Sequence, residues 1–398
     1  MERIIAGVVH TAGKRGSIEK GEVVINGRGR IESVGKVSKG FKGETIECPN
    51  SVVVPGMIDA HTHLGLFGDG TGPAGQDGNE AVEPITPHVR AIDAIDPLSG
   101  DLRDAILAGI TTVFSVPGSA NLIGGQGMVL RTHGSVVIEE RTLKAPAGLK
   151  AALGENPKRV YAGKGQMPST RLGNAAVMRQ AFVAAQNYAN KLKKGKRKKS
   201  DAPDRDLKNE GILLALNREI PLRGHSHSAN DILTFVRIAE EFGLDLVIDH
   251  CTEGHLIADY LAERNIPAAV GPLAWTRSKV ELRRRTAETP GLLAAAGVKV
   301  AIITDAPVCP IQMLPLCVGM AIKAGLSWED GLRSVTINAA EICGVADRVG
   351  SLEPGKDADL VVLDGDPFEV QTQVQQVWTE GQPVDLEREK AIQRSQQT

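Results

Sequence analysis

The sequence has few cysteines, and they are not spaced as a structural framework. Its five cysteines are an odd number, and no two form a Cys-x-x-Cys pair. This excludes a disulfide-stapled fold and a zinc site built from paired thiolates. We therefore expect a reducing compartment, which favours a cytoplasmic location.

Long apolar runs and a strong net charge are also missing. No stretch of about 18 uncharged apolar residues occurs, so the sequence predicts no transmembrane helix. The first ten residues lack the continuous apolar segment of a secretion signal. The formal net charge is −2 and the sequence pI is about 6.5. This balance gives no electrostatic footprint for nucleic acid, so we expect no nucleic-acid or membrane partner and a small-molecule substrate.

One local exception to this balance is a basic run from Lys191 to Lys199, in which seven of nine residues are Lys or Arg. Acidic residues follow directly, and no aromatic residue is interleaved with the basic ones. We interpret the run as a solvated loop at the end of a helix, with a lid or a nucleic-acid contact as the alternatives.

The chain itself is long enough for a large core, with 398 residues and 42% hydrophobic content. From about residue 52, short apolar segments alternate with longer segments of helical periodicity, which is the pattern of βα units around a parallel sheet. Eight candidate strands over roughly 290 residues predict a (β/α)8 barrel, with a doubly wound open sheet as the competing architecture. The expected strand ends are His63, Pro117, Leu130, Gly154, His227, Cys251, Pro272 and Asp305.

Both ends of the chain have a different texture. Short β-branched runs separated by glycine-containing turns fill residues 1–50 and return after Val345. We expect the two ends to build one small β domain from residues 1–54 and 345–398. The barrel would then comprise residues 55–344.

The clearest chemical signal is a histidine pair at the end of an apolar segment. Residues Val52 to Gly65 have the pattern of a buried strand that ends in His61-Thr62-His63. Because side chains alternate along a strand, both imidazoles and Asp59 lie on one face. Two such nitrogens can bind one divalent metal and leave a coordination position open. The alternative is a pair of core histidines, so a metal site requires further ligands.

Other predicted strand ends carry residues of the same kind. His225 and His227 repeat the pair, His250 ends an apolar segment, and Asp305 ends another. In a barrel the carboxyl ends of the strands meet at one rim, so these residues would converge there. Alone, His250 has the alternative of a core histidine, and Asp305 that of a helix N-cap. Together the strand ends predict a catalytic metal site.

These motifs, with two later segments, resemble the amidohydrolase superfamily of metal-dependent hydrolases. The similar segments are Pro55 to His63, the second histidine pair, His250, Thr304-Asp305, Thr336 to Ala340 and Gly350 to Leu360. The resemblance covers nearly the whole chain and is strongest to the imidazolonepropionase-like and dipeptidase-like branch. It implies an α/β fold with a TIM-type (β/α)8 barrel, a β-sandwich built from both termini, and one or two divalent metal ions, with Zn²⁺ favoured. Homo-oligomers are common for this architecture, and a homo-oligomer is an alternative to a monomer.

The resemblance also implies roles for individual residues. His61 and His63 would hold the more buried metal together with Asp305. His225 and His250 would hold a second metal or, with a single metal, complete the site and contact the substrate.

The residue that bridges two metals is less clear from the sequence. Members of the superfamily often use a carboxylated lysine on the fourth strand, and Lys150 has that placement. Glu155, at the very end of the same strand, needs no modification, and we favour it slightly; its alternative is a turn residue before Asn156-Pro157. His227 would contact the substrate or support a ligand, and Asp59 would orient a histidine ring.

The expected reaction follows from the metal. A bound divalent ion lowers the pKa of its water to about 7, so that metal-bound hydroxide is available at neutral pH. Asp305 would take the remaining proton and pass it to the leaving nitrogen, while His250 or His227 would stabilise the oxyanion. We expect hydrolysis of a C–N bond in a small linear or cyclic amide. The alternatives are deamination of a heterocycle at the same site and a catalytically silent scaffold.

Overall fold

The computed structural model describes residues 1–68, 72–195, 203–274 and 276–396. The strands are β1 (Glu2–His10), β2 (Ser17–Ile25), β3 (Ile31–Lys36), β4 (Glu44–Pro55), β5 (Met57–Thr62), β6 (Ile110–Ser115), β7 (Ile123–Arg131), β8 (Thr142–Ala152), β9 (Leu222–Ser226), β10 (Leu246–His250), β11 (Ala268–Val270), β12 (Val300–Ile302), β13 (Leu360–Leu363), β14 (Val374–Thr379) and β15 (Gln382–Pro383).

The helices lie mostly between the strands of the central part of the chain. They are α1 (Gly100–Leu107), α2 (Ile138–Arg141), α3 (Glu155–Ala162), α4 (Arg171–Gly195), α5 (Leu207–Leu216), α6 (Ala229–Phe242), α7 (Ala258–Glu263), α8 (Thr289–Ala295), α9 (Leu314–Lys323), α10 (Trp328–Ser334), α11 (Ile337–Cys343) and α12 (Leu386–Gln396). None of these described helices combines the length and the apolar character that a membrane crossing requires.

An eight-stranded sheet forms a nearly closed barrel, in which β5 to β12 lie side by side in chain order. The predicted α/β barrel is thereby confirmed. The expectation that every strand runs the same way is wrong, because β7 pairs antiparallel with both β6 and β8. The connection from β6 to β7 comprises only residues 116–122. This is too short for the crossover of about a dozen residues that a parallel pair needs, so the chain turns back.

Backbone hydrogen bonds also join the two edge strands of this sheet, β5 and β12, through residues at and just after their carboxyl ends. The Asp305 N–H donates to the His61 carbonyl over 3.2 Å, and the His63 N–H donates to the Ala306 carbonyl over 2.8 Å. These bonds place the segment that follows β12 directly against the end of β5.

The barrel interior is apolar at one end and polar at the other. A buried cluster takes one residue from each of six strands: Phe114, Val129, Ala147, Val247, Ala269 and Ala301. Val247 lies two residues before Asp249 on β10, so both occupy the same face of the strand. The apolar residues therefore support a layer of charged and polar side chains nearer the rim.

A second sheet of seven strands contains both ends of the chain, in the order β15-β14-β13-β4-β1-β2-β3. All its pairs are antiparallel except β1 with β4. The buried Arg131 of β7 links the barrel to this sheet through ion pairs with Asp357 at 2.5 Å and Asp359 at 3.0 Å. The organisation of this sheet as a β-sandwich domain of residues 1–54 and 345–398 stays a prediction.

Gly56 separates the two sheets at the point where β4 passes into β5. A Cβ atom at this position would lie 2.1 Å from Thr111 Oγ1, so only glycine fits. The predicted basic run begins at Lys191 in the last turns of α4, and its residues 196–199 lie outside the described residues.

Candidate metal centre

Two groups of metal-ligand side chains lie at the carboxyl ends of β5, β9 and β10 and just after β12. One is His61, His63 and Asp305, the first group; the other is His225, His227 and His250, the second group. Within each group the ligand atoms lie within 4.8 Å of one another. The ring centroids of His61 and His250 are 5.1 Å apart, so the groups adjoin. The structure thus brings together six residues that the sequence places in four separate segments.

A hydrogen bond fixes the ring of His63, and a carboxylate lies beside the ring of His61. His63 Nδ1 lies 2.5 Å from the Val116 carbonyl, which can only accept, so Nδ1 carries the proton and Nε2 presents a lone pair. His61 Nδ1 lies 3.0 Å from Asp249 Oδ2, which is an ion-pair contact, since neither atom has a hydrogen-bond partner among the described residues. The Asp305 carboxylate lies 3.2 Å from His63 Nε2 and 3.5 Å from His61 Nε2. The Nε2 atoms of both rings therefore lie beside one carboxylate.

The second group contains a buried nitrogen that no described residue satisfies. His250 Nδ1 lies 3.0 Å from the Gly271 carbonyl, so Nε2 is the unprotonated nitrogen. This Nε2 is buried and has no hydrogen-bond partner among the described residues. The ring of His250 lies 4.3 Å from that of His225 and 4.7 Å from that of His227, measured between centroids. A buried lone pair among imidazoles calls for a cation, and this donor set fits a divalent metal.

The protonation states of both groups suit metal binding. Burial lowers the pKa of His225 and of His227 well below the ordinary value and lowers that of His250 to about 3, so these imidazoles are neutral at physiological pH. Burial alone would raise the pKa of Asp305. The combined effect of His250, His61 and His63 is larger and of opposite sign, so the net pKa lies well below the usual range. Neutral imidazoles and an ionised carboxylate are the forms that coordinate metals.

Two of the candidate ligands have unusual backbone conformations. His250 has φ of 72° and Asp305 has φ of 57°, the left-handed region that residues other than glycine rarely adopt. Consecutive residues of a regular strand face opposite sides, yet both Asp249 and His250 face the barrel interior beside His61. The left-handed conformation at His250 accounts for this, and such strain is concentrated at functional sites.

Lys150 lies inside the centre, whereas Glu155 does not. The fully buried Lys150 projects from β8 with Nζ 3.1 Å from His61 Nε2. Burial lowers the pKa of its amine to about 8. Glu155 is the first residue of α3 and belongs to neither ligand group; its backbone N–H donates to Glu281 Oε2 over 3.1 Å. The sequence-based preference for Glu155 as the bridging residue stays a prediction: β8 ends at Ala152, and it is the neighbouring Asn156 whose amide nitrogen lies 3.5 Å from His225 Nε2.

The expectation that Asp59 orients a histidine ring is corrected. Its carboxylate accepts from the His61 backbone N–H at 3.1 Å, and from the Thr304 N–H and hydroxyl at 3.0 and 2.6 Å. Burial raises the pKa of Asp59 to about 6. Asp59 thus ties β5 to the segment that carries Asp305, while Asp249 lies beside the ring of His61.

Sequence reasoning missed the buried pair Arg223 and Asp249. Arg223 Nη2 lies 2.6 Å from Asp249 Oδ1 and donates to the Ala60 carbonyl over 2.7 Å, and both side chains are fully buried. Burial raises the pKa of Asp249, but Arg223 and His61 lower it well below its usual range. The available signal was one charged residue inside each of two consecutive predicted strands, since isolated buried charges are costly unless paired.

His227 has its own partners at the edge of the second group. Its Nδ1 lies 2.8 Å from the Thr252 hydroxyl, and its Nε2 lies 3.7 Å from Glu281 Oε1. Burial raises the pKa of Glu281 to about 7. Glu281 is a second residue that the sequence did not indicate, because it lies in a short 3-10 helix (Val280–Leu282) outside every motif.

Two cavities open onto the ligand groups. The smaller, of about 230 Å³, is bounded by His227, His250 and Asp305. The larger, of about 550 Å³, is bounded by His63, His225 and Asp305. The two cavities share Lys279, Asp305 and Val308, so a small molecule that spans both would place one of its bonds beside Asp305.

Comparisons with known proteins identify the family. The model of the amidohydrolase family matches residues 120–385, more than half of the chain, and the chain belongs to this family. The structure is similar to the crystal structure of an amidohydrolase from Thermotoga maritima MSB8, at 43% sequence identity and a TM-score of 0.93. That match covers 96% of this chain and 99% of the other.

Curated relatives agree with this assignment. An imidazolonepropionase of Rhizorhabdus wittichii is 27% identical over 389 residues, covering 88% of this chain and 89% of the relative. Amidohydrolase tasK of Hapsidospora irregularis is 29% identical over 355 residues, covering 82% of this chain but only 36% of the relative. The chain thus spans about a third of that protein. The predicted superfamily is confirmed, and the chain is an enzyme of the class that hydrolyses carbon–nitrogen bonds.

Proposed function

We propose that the chain is a metal-dependent amidohydrolase that cleaves the C–N bond of a small linear or cyclic amide. The observation that carries this proposal is the pair of adjoining ligand groups at the mouth of two cavities, with the lone pair of His250 Nε2 buried and unpartnered. Such a nitrogen costs free energy in the metal-free protein and becomes favourable when it coordinates a cation.

The ligand groups suit one or two divalent ions. His61, His63 and Asp305 would hold one ion, and His225 and His250 would hold a second. Imidazole and carboxylate donors favour zinc. A bound ion would supply a water of lowered pKa and would polarise the carbonyl of the substrate.

We propose Lys150 in its carboxylated form as the bridging residue. Carboxylation requires a neutral amine, and the pKa of about 8 that burial gives Lys150 provides a neutral fraction near physiological pH. The modification would convert a cationic side chain 3.1 Å from His61 Nε2 into an oxygen ligand. Glu155 is not part of this proposal.

Asp305 and His227 would have different roles in the reaction. Asp305, ionised and lining both cavities, would accept a proton from the attacking water and deliver it to the leaving nitrogen. His227 faces the smaller cavity. When the Thr252 hydroxyl donates to Nδ1, Nε2 carries the proton and would donate to the oxygen of the substrate carbonyl.

Metal analysis and a substrate panel test the proposal. We expect at least one equivalent of a divalent metal in the purified protein, and turnover of a member of a panel of dipeptides, N-acyl amino acids, lactams and heterocyclic amines. Ammonia release from the heterocyclic amines alone would instead indicate a deaminase. Protein without stoichiometric metal, or metal-loaded protein inactive on the whole panel, would contradict the proposal and support a scaffold role.

We also propose a cytoplasmic location. Each of the five cysteines is unpaired in the described structure, as expected for a protein that folds under reducing conditions. Fractionation of the source cells would test this.

A further inference from the structure

The smaller cavity has an unusual charge balance. Apart from neutral histidines, its described charged lining residues are Lys279, Arg285 and Asp305. Asp305 is already engaged with the histidines of the first group. The nearest described carboxylate partner of Lys279 is Glu281, at 3.9 Å. The cavity therefore contains two cationic side chains, of which Lys279 has a distant carboxylate partner and Arg285 has none among the described residues.

Arg285 carries the main observation. Its Nη1 is buried and has no hydrogen-bond partner among the described residues. Burial lowers the pKa of the guanidinium, and the like charge of Arg277 lowers it further. A guanidinium N–H that has lost water without gaining an acceptor is unfavourable, and buried groups of this kind are rarely left unsatisfied. An acceptor supplied by a ligand would remove that cost.

The walls of the same cavity limit the ligand further. Apart from the charged residues and the histidines, the described lining contains five apolar side chains, Val270, Pro272, Leu273, Leu282 and Val308, and four hydroxyl side chains, Thr252, Ser278, Thr286 and Thr289. The volume of about 230 Å³ admits only a small group. The cavity suits a short apolar body with an anionic end directed at Arg285.

We infer that the substrate is an amide with a carboxylate on a small apolar body, and that Arg285 binds this carboxylate with support from Lys279. The planar guanidinium matches a carboxylate with two parallel hydrogen bonds. This inference rests on the proposed function in one respect, since it takes the group beside Asp305 to be the scissile amide. The remaining part of the substrate would extend past Asp305 into the larger cavity.

Equilibrium binding of matched probes tests the inference without turnover. The probes are 4-methylpentanoate and 4-methylpentanamide, measured by isothermal titration calorimetry with the metal-loaded protein. We expect the carboxylate to bind roughly 10- to 100-fold more tightly than the amide, as a charge-assisted hydrogen bond predicts. Arg285→Gln should abolish this preference.

Arg283→Gln is the matched control, because Arg283 is exposed and lies outside the cavity lining. It should retain the full preference for the carboxylate. An unchanged preference in Arg285→Gln would overturn the inference, since the carboxylate would then be held by the metal or by Lys279 alone. Tighter, Arg285-dependent binding of 3-methylbutylphosphonate would overturn the choice of a carboxylate.

A second variant covers the case in which Arg285→Gln does not fold, as judged by thermal unfolding. Arg285→Lys keeps the charge but loses the planar fork, and we expect it to reduce the preference by roughly 3- to 10-fold. No reduction would contradict the inference.

Activity separates this inference from the proposed function. Equal kcat/KM values for N-acetyl-leucine and N-acetyl-leucinamide would support amide hydrolysis and contradict the carboxylate site. Arg285-dependent binding of the carboxylate without any amide hydrolysis would support the carboxylate site and contradict amide hydrolysis.

Discussion

The two ligand groups differ in how the protein supports them. In the first group, His61 lies beside Asp249, which is itself paired with Arg223, and the group contains its own carboxylate in Asp305. The second group consists only of neutral imidazoles, and the Nε2 of His250 has no partner among the described residues. The rings of His250 and His227 have hydrogen-bond partners of their own in the Gly271 carbonyl and the Thr252 hydroxyl, so the groups differ mainly in charge, and the second needs an additional anionic ligand. We expect the first group to bind metal more tightly, and the Arg223 and Lys150 variants below test this difference directly.

Asp305→Asn should have the largest effect, because it removes the ionised carboxylate from the first group and leaves the histidines in place. We expect kcat to fall by about 10²- to 10⁴-fold, the usual contribution of a general acid–base group. Metal content, measured by elemental analysis, should be largely retained. Unchanged turnover would refute the role of Asp305 in proton transfer.

Arg223→Met should remove the support of the first group. It leaves the carboxylate of Asp249 buried without its cation, and breaking such a pair costs about 3–5 kcal/mol in the free energy of unfolding. Loss of ring support for His61 should weaken metal binding by roughly 10- to 100-fold. Denaturant unfolding and competitive chelator titration measure the two effects. The surface variant Arg237→Met, on the exposed face of α6, is the control and should alter neither.

Lys150→Met should distinguish the metal occupancy of the two groups. Without a carboxylated lysine, the second group lacks its oxygen ligand, so metal content should fall from two equivalents to one while the first group stays loaded. Lys144→Met, on the same strand, should leave the content unchanged. Incorporation of ¹³C-bicarbonate into wild type but not into Lys150→Met, followed by NMR, would identify the modified residue. Two equivalents in both proteins would exclude Lys150 as the bridge.

The lowered pKa of Lys150 predicts how the stability of the metal-free protein depends on pH. Between the folded-state pKa of about 8 and the ordinary value near 10.5, the unfolded chain binds a proton that the native protein does not. Stability should therefore rise with pH across this window, by at most about 3 kcal/mol from this residue. Lys150→Met should lack this rise. A parallel slope in both proteins, measured by urea unfolding without bicarbonate, would contradict the assignment.

Thr252→Val should have the smallest effect, because it changes only the partner of His227 Nδ1. Without the hydroxyl, the tautomer with a proton on Nε2 is no longer favoured, and we expect kcat to fall by roughly 10-fold with metal content unchanged. An unaltered kcat would indicate that His227 does not stabilise the oxyanion.

Local patterns in the sequence were sufficient to predict the candidate ligands but not the residues that contact and support them. His61, His63 and His250 could be found because apolar strands end in residues that bind metals, and a barrel gathers those ends at one rim. The antiparallel direction of β7 follows from the short connection of residues 116–122, and the sequence did not define the strand ends well enough to show that this connection is short. The pairing of Arg223 with Asp249 depends on how β9 and β10 are aligned with each other, and a local sequence pattern does not show this alignment. Lys150 and Glu155 differ only in which one precedes the turn after β8.

The backbone hydrogen bonds between His61, His63 and the segment around Asp305 link the metal centre to the closure of the barrel. The same residues that offer ligands to an ion also form the seam where the barrel closes. An ion bound to their side chains would add a further link between the two segments that these backbone bonds already join. Removal of the ion should therefore accelerate hydrogen exchange at the amides of His63 and Asp305 before it affects the strands on the opposite side of the barrel.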